Sequence, residues 1–210
     1  MKKIYLLLFP LFLLSCSSIQ FVDSWKNEDI AFFKPQKLLV VGVTDNLTAR
    51  VIFEEKLKNE FSKRNINAVE STKVLDESFT ASEKSEKEIQ QMIASLSEKG
   101  FDAVIISAVK GIDEKNTYHP GYYTVNYNWT RFGKYYYRYQ DIYYNPAYYN
   151  EFSIYRVETS IYNINEQSDK SLVWVGSLNI VDPQSIKSTV NEYVATIMKQ
   201  LERERVITPL

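Results

Sequence analysis

Two largely apolar runs constrain the fold of this chain more than any other feature of its sequence. The first spans Lys37 to Thr44, with Leu38-Leu39-Val40-Val41 at its centre, and the second spans Phe101 to Val109. Strands that are apolar on both faces are typical of parallel sheets that helices cover on both sides. Each run is therefore predicted to be a central strand, with Val40 and Ile105 as neighbours on adjacent strands.

An amphipathic helix is predicted after the first run, from about Thr48 to Arg64. Asp45 or Asn46 is expected to cap it and Asn65 to close it, and a short strand follows from Ile66 to Glu70. The charged residues are expected opposite an apolar stripe that consists of Ile52, Phe53, Leu57 and Phe61.

A second helix is predicted from about Ser85 to Lys99, before the second apolar run. Ser85 and Glu88 have the spacing of a capping box, and Gly100 stands where a helix ends. Two strand-helix-strand units in succession imply parallel strands with right-handed crossovers. The apolar face of this helix consists of Ile89, Met92, Ile93 and Leu96.

The carboxyl-terminal part has the pattern of a hairpin and a helix. Residues 153–163 alternate between apolar and polar side chains, and residues 172–181 form a second strand after a polar turn. Asp182-Pro183 is expected to cap the last helix, with proline at its favoured first position. One face of the second strand is predicted to hold Leu172, Trp174, Leu178 and Ile180, and the buried side of the helix Ile186, Val190, Tyr193, Val194, Ile197 and Leu201.

The predicted fold class is α/β (α+β), with a mixed sheet of about five strands and helices packed on it. The element order is β-α-β-α-β, an insertion, then β-β-α. Residues 37–210 are expected to form one domain that carries the insertion at 118–149. With 25 basic and 26 acidic residues, the charge is balanced, and no overall field directs the protein to nucleic acid or to anionic lipid.

The amino terminus has the pattern of a secretory leader. Lys2 and Lys3 precede the apolar run from Ile4 to Leu14, which is too short for a membrane span of about 20 residues. Leu13-Leu14-Ser15-Cys16 closes the run and resembles the lipobox of bacterial lipoproteins. The resemblance implies cleavage before Cys16 and a lipid on its sulfur; the alternative is an ordinary leader that contains a cysteine.

Residues 1–15 are therefore expected to be a signal peptide, and Cys16 the lipidated first residue of the mature chain. Attachment through two or three acyl chains is effectively permanent. Residues 16–36 are expected to be a tether that lies partly on the domain as an edge strand, because it includes Ile19, Phe21 and Trp25. No aspartate follows Cys16, so the lipoprotein resemblance implies the outer membrane, with the domain facing the periplasm.

The insertion is exceptionally rich in tyrosine. Residues 118–149 hold twelve of the sixteen tyrosines and no leucine or methionine. Aromatic and polar residues alternate on both sides of Phe132-Gly133, which is expected to be the turn of an aromatic hairpin. The alternative is a low-complexity loop. Its candidate binding surface consists of Tyr123, Tyr127, Trp129, Arg131, Tyr137, Arg138 and Tyr139.

Four segments carry a resemblance to a known family: Val22 to Lys26, Leu38 to Glu55 with its Arg50-x-Ile52-Phe53-Glu54 core, Asp102 to Val104, and Ser171 to Gly176. In these the chain is similar to an uncharacterised family of bacterial envelope lipoproteins, which has a domain of unknown function and an aromatic insertion. The element order is also similar to the small α/β domains of penicillin-binding-protein activator and curli-secretion lipoproteins. That second likeness concerns the fold alone.

Residue types that support catalysis or metal binding are sparse. His119 and Cys16 are the only histidine and cysteine, so no metal site, cofactor or cysteine nucleophile is expected. Asp45 follows the first strand, where α/β folds place ligands, but a helix cap explains it as well. Asp113 and Glu114 are expected in a solvated turn, and the sequence contains no glycine-rich phosphate loop.

These patterns favour a non-enzymatic interaction or assembly module over an enzyme. The expected partners are the membrane, through the lipid on Cys16, and an envelope protein or a second copy of the chain. The alternative function is binding of glycan or peptidoglycan by the tyrosines of the insertion. Nucleic acid is not an expected partner in that compartment.

Overall fold

The computed structural model describes residues 17–44, 46–76, 82–114, 132–133, 153–165, 171–183 and 185–210, with the backbone alone at 113, 114 and 153. Within these residues a six-stranded sheet is packed against three α-helices. The strands are β1 (Ile19–Lys26), β2 (Leu38–Val43), β3 (Ala68–Glu70), β4 (Ala103–Glu114), β5 (Ser153–Asn163) and β6 (Leu172–Val181), and the helices are α1 (Leu47–Lys63), α2 (Glu86–Glu98) and α3 (Ile186–Arg203).

The sheet is mixed, as predicted, and its strand order is β1-β6-β5-β4-β2-β3. β2 is parallel to both β3 and β4, whereas β4, β5, β6 and β1 are successively antiparallel. Val40 faces Ile105 in the register of β2 and β4, which confirms that prediction. The sheet has six strands rather than about five because the predicted tether supplies β1, which pairs with β6.

Helices cover both faces of the sheet, as continuous apolar strands require. Alternate side chains of β2 and β4 point to opposite faces: Val40 and Ile105 pack with α1 and α3, and Val41 and Ile106 pack with α2. α1 lies close to β2 at Gly42, where a Cβ would come within 2.9 Å of the Phe53 ring. The core therefore occupies two layers, one on each side of the sheet.

The end of β4 differs from the prediction, which placed it at Val109. The strand continues to Glu114 because its last residues pair with β5, from Gly111 opposite Arg156 to Glu114 opposite Ser153. A register shift between Val109 and Gly111 lets the extended hairpin form. Asp113 and Glu114 are therefore strand residues and not part of a turn.

The predicted shared face of β6 is wrong at Leu172. β5 and β6 shift register between Ile161 and Tyr162, so that Ile161 faces Trp174 while Tyr162 faces Leu172. One extra residue, Val173, lies between the two pairs and reverses the alternation. Leu172 consequently packs on the α2 side of the sheet, while Trp174 packs with α1 and α3.

The buried side of α1 is more polar than predicted. Arg50 and Glu54 are buried beside Phe53, Leu57 and Phe61, whereas Ile52 is only half-buried. Asn46 supplies the cap, since its side chain accepts a hydrogen bond from Ala49 N. The two buried charges are compatible with the core because they bind each other and nearby polar groups.

The remaining helix signals agree with the structure for α2 and differ for α3. Ser85 and Glu88 form the predicted capping box, and Gly100 follows α2 with a φ of +79°. α3 is capped by Ser185, because Asp182 adopts a φ of +45° in the turn that precedes the helix. Ile186 therefore begins α3 and is exposed rather than buried.

Candidate functional site

The predicted lipidation site and binding surface lie outside the described residues. These residues are Cys16, Tyr123, Tyr127, Trp129, Arg131, Tyr137, Arg138 and Tyr139. Asp45 and His119 also lie outside them. The structure instead shows where the chain approaches Cys16, where the insertion joins the sheet, and one point at which the insertion contacts the domain.

The insertion leaves and rejoins the sheet through a paired hairpin end. Glu114, the last residue of β4, is opposite Ser153, the first residue of β5. Residues 115–152 therefore connect two positions that are neighbours on adjacent strands. Because neighbouring strands lie about 4.8 Å apart, the two ends of this connection are close together.

One contact of the insertion with the domain is described, and it corrects the predicted turn at Phe132-Gly133. Both residues are helical, and Phe132 is only 4% exposed, with its ring centroid 5.8 Å from that of Tyr162. A Cβ on Gly133 would lie 2.8 Å from Gln90 Nε2 and 3.0 Å from Ile93 Cδ1. Burial of one large ring against α2 and the sheet favours this packing over an exposed turn.

The chain just after Cys16 is held on α3. Ser17 Oγ, Ser18 N and Ser18 Oγ all donate to Oε2 of Glu192, at 3.2, 3.0 and 3.2 Å. The Ser18 carbonyl accepts a hydrogen bond from Val181 N at 2.8 Å, and β1 begins at the next residue. Glu192 is a contact that sequence reasoning missed, because no local pattern links it to residues near the amino terminus.

The amino-terminal end of β1 and the base of the insertion lie at the same end of the sheet. Ile19 is opposite Ile180, Ile180 is opposite Tyr155, and Tyr155 is opposite Ile112. This row crosses three strand spacings, about 14 Å in all. The predicted anchor and the predicted recognition element are therefore attached close together.

A buried ion pair lies between α1 and the carboxyl-terminal ends of β2 and β3. Oε1 of Glu54 accepts hydrogen bonds from Arg50 Nε at 3.0 Å, Gly42 N at 3.0 Å and Ser71 Oγ at 2.6 Å. Oε2 accepts one from Thr72 N at 3.0 Å. Since these contacts occupy both carboxylate oxygens, the cluster joins elements and does not resemble a poised acid or base.

That cluster was detectable in part from the sequence. Arg50 and Glu54 are four residues apart, the spacing of an intrahelical ion pair, and Glu54 adjoins Phe53 on the buried side of α1. The partner Ser71 is far along the chain, so its contribution needed the structure. The cluster lies at the carboxyl-terminal ends of β2 and β3, where α/β folds place ligands, but here the side chains bind one another.

A chain of three hydroxyl groups is buried on the α1 and α3 side of the sheet. Ser107 Oγ lies 2.6 Å from Thr159 Oγ1, which lies 2.7 Å from the Tyr193 hydroxyl. Burial raises the pKa of Tyr193 to about 12, against a smaller opposing effect of its hydrogen bonds. The phenol is therefore neutral at physiological pH and acts as a hydrogen-bonding link between α3 and the sheet.

Among the described residues, no cluster of three or more histidine, cysteine, aspartate or glutamate side chains could hold a metal ion. The same part of the chain contains no helix long and apolar enough to cross a membrane.

Comparison with known proteins gives a distant likeness in fold. No protein-family model and no curated protein matches the chain. A PelC dodecamer from Paraburkholderia phytofirmans is 9% identical over 87% of this chain and 95% of that chain, with a TM-score of 0.43. Lipoprotein GNA1162 from Neisseria meningitidis is 11% identical over 80% of this chain and 99% of that chain, with a TM-score of 0.38. These identities and TM-scores are too low to assign a family, and the resemblance to an envelope-lipoprotein family stays a prediction.

Proposed function

We propose that this protein is a non-enzymatic, lipid-anchored module of a bacterial cell envelope. In this proposal Cys16 carries the lipid, and the α/β domain presents its tyrosine-rich insertion to an envelope protein or to a second copy of the chain. The proposed location is the outer membrane, with the domain facing the periplasm. The leader that ends in Leu13-Leu14-Ser15-Cys16 supports the anchor.

The observation that carries the proposed interaction role is the position of the insertion on the sheet. Helices α1, α2 and α3 cover the two faces, and the insertion is connected to the sheet at the paired ends of β4 and β5, where Glu114 is opposite Ser153. Tyrosine and tryptophan supply large contact area with few rotatable bonds, and such residues dominate the binding energy of protein interfaces. The insertion is therefore the part of the chain best suited to recognition.

The polar clusters of the described domain support a structural role for its charged and hydroxyl groups. Glu54 is bonded to Arg50 and Ser71, and Tyr193 is bonded to Thr159, all of them buried. Groups held in this way stabilise the fold but do not reach a substrate. This is the physical basis for proposing a binding module rather than an enzyme.

The anchor is tested with Cys16→Ser in the full-length chain. We expect uncut precursor that does not incorporate labelled palmitate, because the acylated sulfur is lost. Cys16→Ser protein that is cleaved and retained on the membrane like the parent would overturn the lipidation proposal.

The interaction role is tested by crosslinking in intact cells, followed by purification of the tagged protein. The variant Tyr123→Ser/Tyr127→Ser/Trp129→Ser should lose its crosslinked partner, since aromatic anchors carry most of the contact energy. The matched control, Glu55→Ser/Lys99→Ser, changes exposed residues of the domain and should retain the partner.

The second candidate function, glycan binding, is separated by sedimentation with purified peptidoglycan sacculi. The abundance of tyrosine in residues 118–149 favours this candidate, because aromatic rings stack on sugars. Recovery with sacculi, without a crosslinked protein partner, would replace the protein-partner proposal by the glycan one.

A further inference from the structure

The chain leaves almost no free tether between the predicted lipid and the domain. Cys16 and Ser18 are two residues apart, which limits their Cα separation to about 7 Å. Ser18 is already fixed by Glu192 of α3 and by Val181 of β6. A lipid on Cys16 would thus hold the adjacent end of the domain within a few ångströms of the bilayer surface.

Three exposed aliphatic residues lie at that same end. Ile112 is in one row with Ile19 across the sheet and is 39% exposed. Leu47 and Ile186 are the first residues of α1 and α3 and are 66% and 37% exposed. We name Leu47, Ile112 and Ile186 the proximal apolar cluster.

The positions of the two helices show that Leu47 and Ile186 share a level. The rings of Phe53 and Tyr193 are in contact, with centroids 5.9 Å apart, and both helices start at the end of the sheet near Ser18. Leu47 precedes Phe53 by six residues and Ile186 precedes Tyr193 by seven, so both lie about 10 Å along the helix axes from that contact. They thus project from the end that faces the anchor.

We propose that the proximal apolar cluster rests directly on the lipid surface and fixes one orientation of the domain on the membrane. This inference rests on the proposed lipidation of Cys16. Transfer of apolar side chains from water to the boundary between headgroups and acyl chains is favourable, and the anchor keeps these side chains close to that boundary. Exposed Lys187, next to Ile186, adds a cation that suits anionic headgroups.

The opposite end of the domain provides matched control positions. Phe32 is 54% exposed, and it adjoins Phe33, whose N–H is bonded to Val206 beyond the carboxyl end of α3. Leu210, four residues after Val206, is 75% exposed. β6 alone, with 10 residues, separates the two ends by about 30 Å. Exposure of apolar residues is thus similar at both ends, and only the position of the anchor distinguishes them.

The test uses the mature lipoprotein reconstituted in vesicles of phosphatidylethanolamine and phosphatidylglycerol. Single cysteines, Leu47→Cys, Ile112→Cys, Ile186→Cys, Phe32→Cys and Leu210→Cys, are labelled with a small fluorophore. A lipid that bears a nitroxide near its headgroup then quenches labels close to the membrane. We expect severalfold stronger quenching at the proximal apolar cluster than at Phe32 or Leu210.

Equal quenching at the two ends, or stronger quenching at Phe32 and Leu210, would overturn the orientation. Mass spectrometry of the amino-terminal peptide distinguishes this failure from failure of the proposed anchor. Lipidated protein without proximal quenching contradicts the further inference alone, whereas protein without lipid on Cys16 contradicts the proposed function on which the inference rests.

Discussion

The buried carboxylate of Glu54 joins α1 to β2 and to the segment after β3, and loss of its charge should weaken the fold. Removal of one partner of a buried ion pair costs about 3 to 5 kcal/mol, because the interior solvates the remaining charge poorly and its opposite charge is lost. We expect Glu54→Gln to lower the free energy of unfolding by about 3 kcal/mol in urea denaturation. Glu55→Gln, on the exposed side of α1, should change it by less than about 0.5 kcal/mol.

The double variant Arg50→Met/Glu54→Leu provides the second measurement on this pair. It should recover only part of the lost stability, since it removes both charges of the pair but leaves Gly42 N and Thr72 N without the carboxylate that accepts their hydrogen bonds. Equal stabilities for Glu54→Gln and Glu55→Gln would show that the carboxylate is dispensable.

The Tyr193 hydroxyl should make stability depend on pH in the alkaline range. Its pKa is 10.0 in an ordinary environment and about 12 in the fold, so folding favours the protonated phenol. The resulting stabilisation is fully present below pH 10 and is lost as pH rises through about 12. Tyr193→Phe should lose less stability than the parent between these pH values in urea titrations. If the free energy of unfolding decreased equally with pH in the parent and in Tyr193→Phe, the raised pKa of Tyr193 would be contradicted.

At the level of elements, β6 depends on a close fit between Trp174 and Gly176. A Cβ on Gly176 would lie 2.3 Å from Trp174 Cη2, and the indole is fixed by a 2.7 Å hydrogen bond from Nε1 to Glu204. Gly176→Ala should therefore lower the stability by about 3 kcal/mol through overpacking. Gly111→Ala in β4 is the control and should stay within about 0.5 kcal/mol of the parent, because a Cβ added there would have no atom of the described residues within 4 Å. Similar melting temperatures for the two variants would contradict this packing.

The elements were predictable where a local pattern specifies them, and the errors lie where distant residues decide. The apolar runs around Val40 and Ile105, the capping box at Ser85 and the glycine after α2 are local signals, and the structure confirms them. The extension of β4 to Glu114 and the reversal at Leu172 arise from pairing with β5. Register shifts of this kind depend on the partner strand and leave no periodic trace in the sequence.

For the molecule as a whole, the sheet determines which distant segments act together. The sequence indicated an anchor at Cys16 and an aromatic insertion at 118–149, but these are far apart along the chain. Only the strand order β1-β6-β5-β4 places their points of attachment at one end. That order depends on pairing between the predicted tether and β6, so the shared end could not be derived from local patterns.

The insertion as a whole should contribute to the stability of the domain mainly through Phe132. Its ring is buried against Tyr162 and lies beside α2, so Phe132→Ala should lower the free energy of unfolding by about 3 kcal/mol or more. Phe32→Ala, at an exposed position, is the control and should change it by about 0.5 kcal/mol or less.

Replacement of residues 122–148 by a short glycine-serine link tests how far this contribution is confined to Phe132. The linked protein should lose about as much free energy of unfolding as Phe132→Ala. The reason is that a change in loop length alters the free-energy cost of loop closure by only about 0.6 kcal/mol per doubling. A single cooperative transition in both variants, at similar midpoints in urea, is the expected result. If the linked protein fails to fold while Phe132→Ala folds, the tyrosines themselves hold the domain together, and a separate recognition role for the insertion is contradicted.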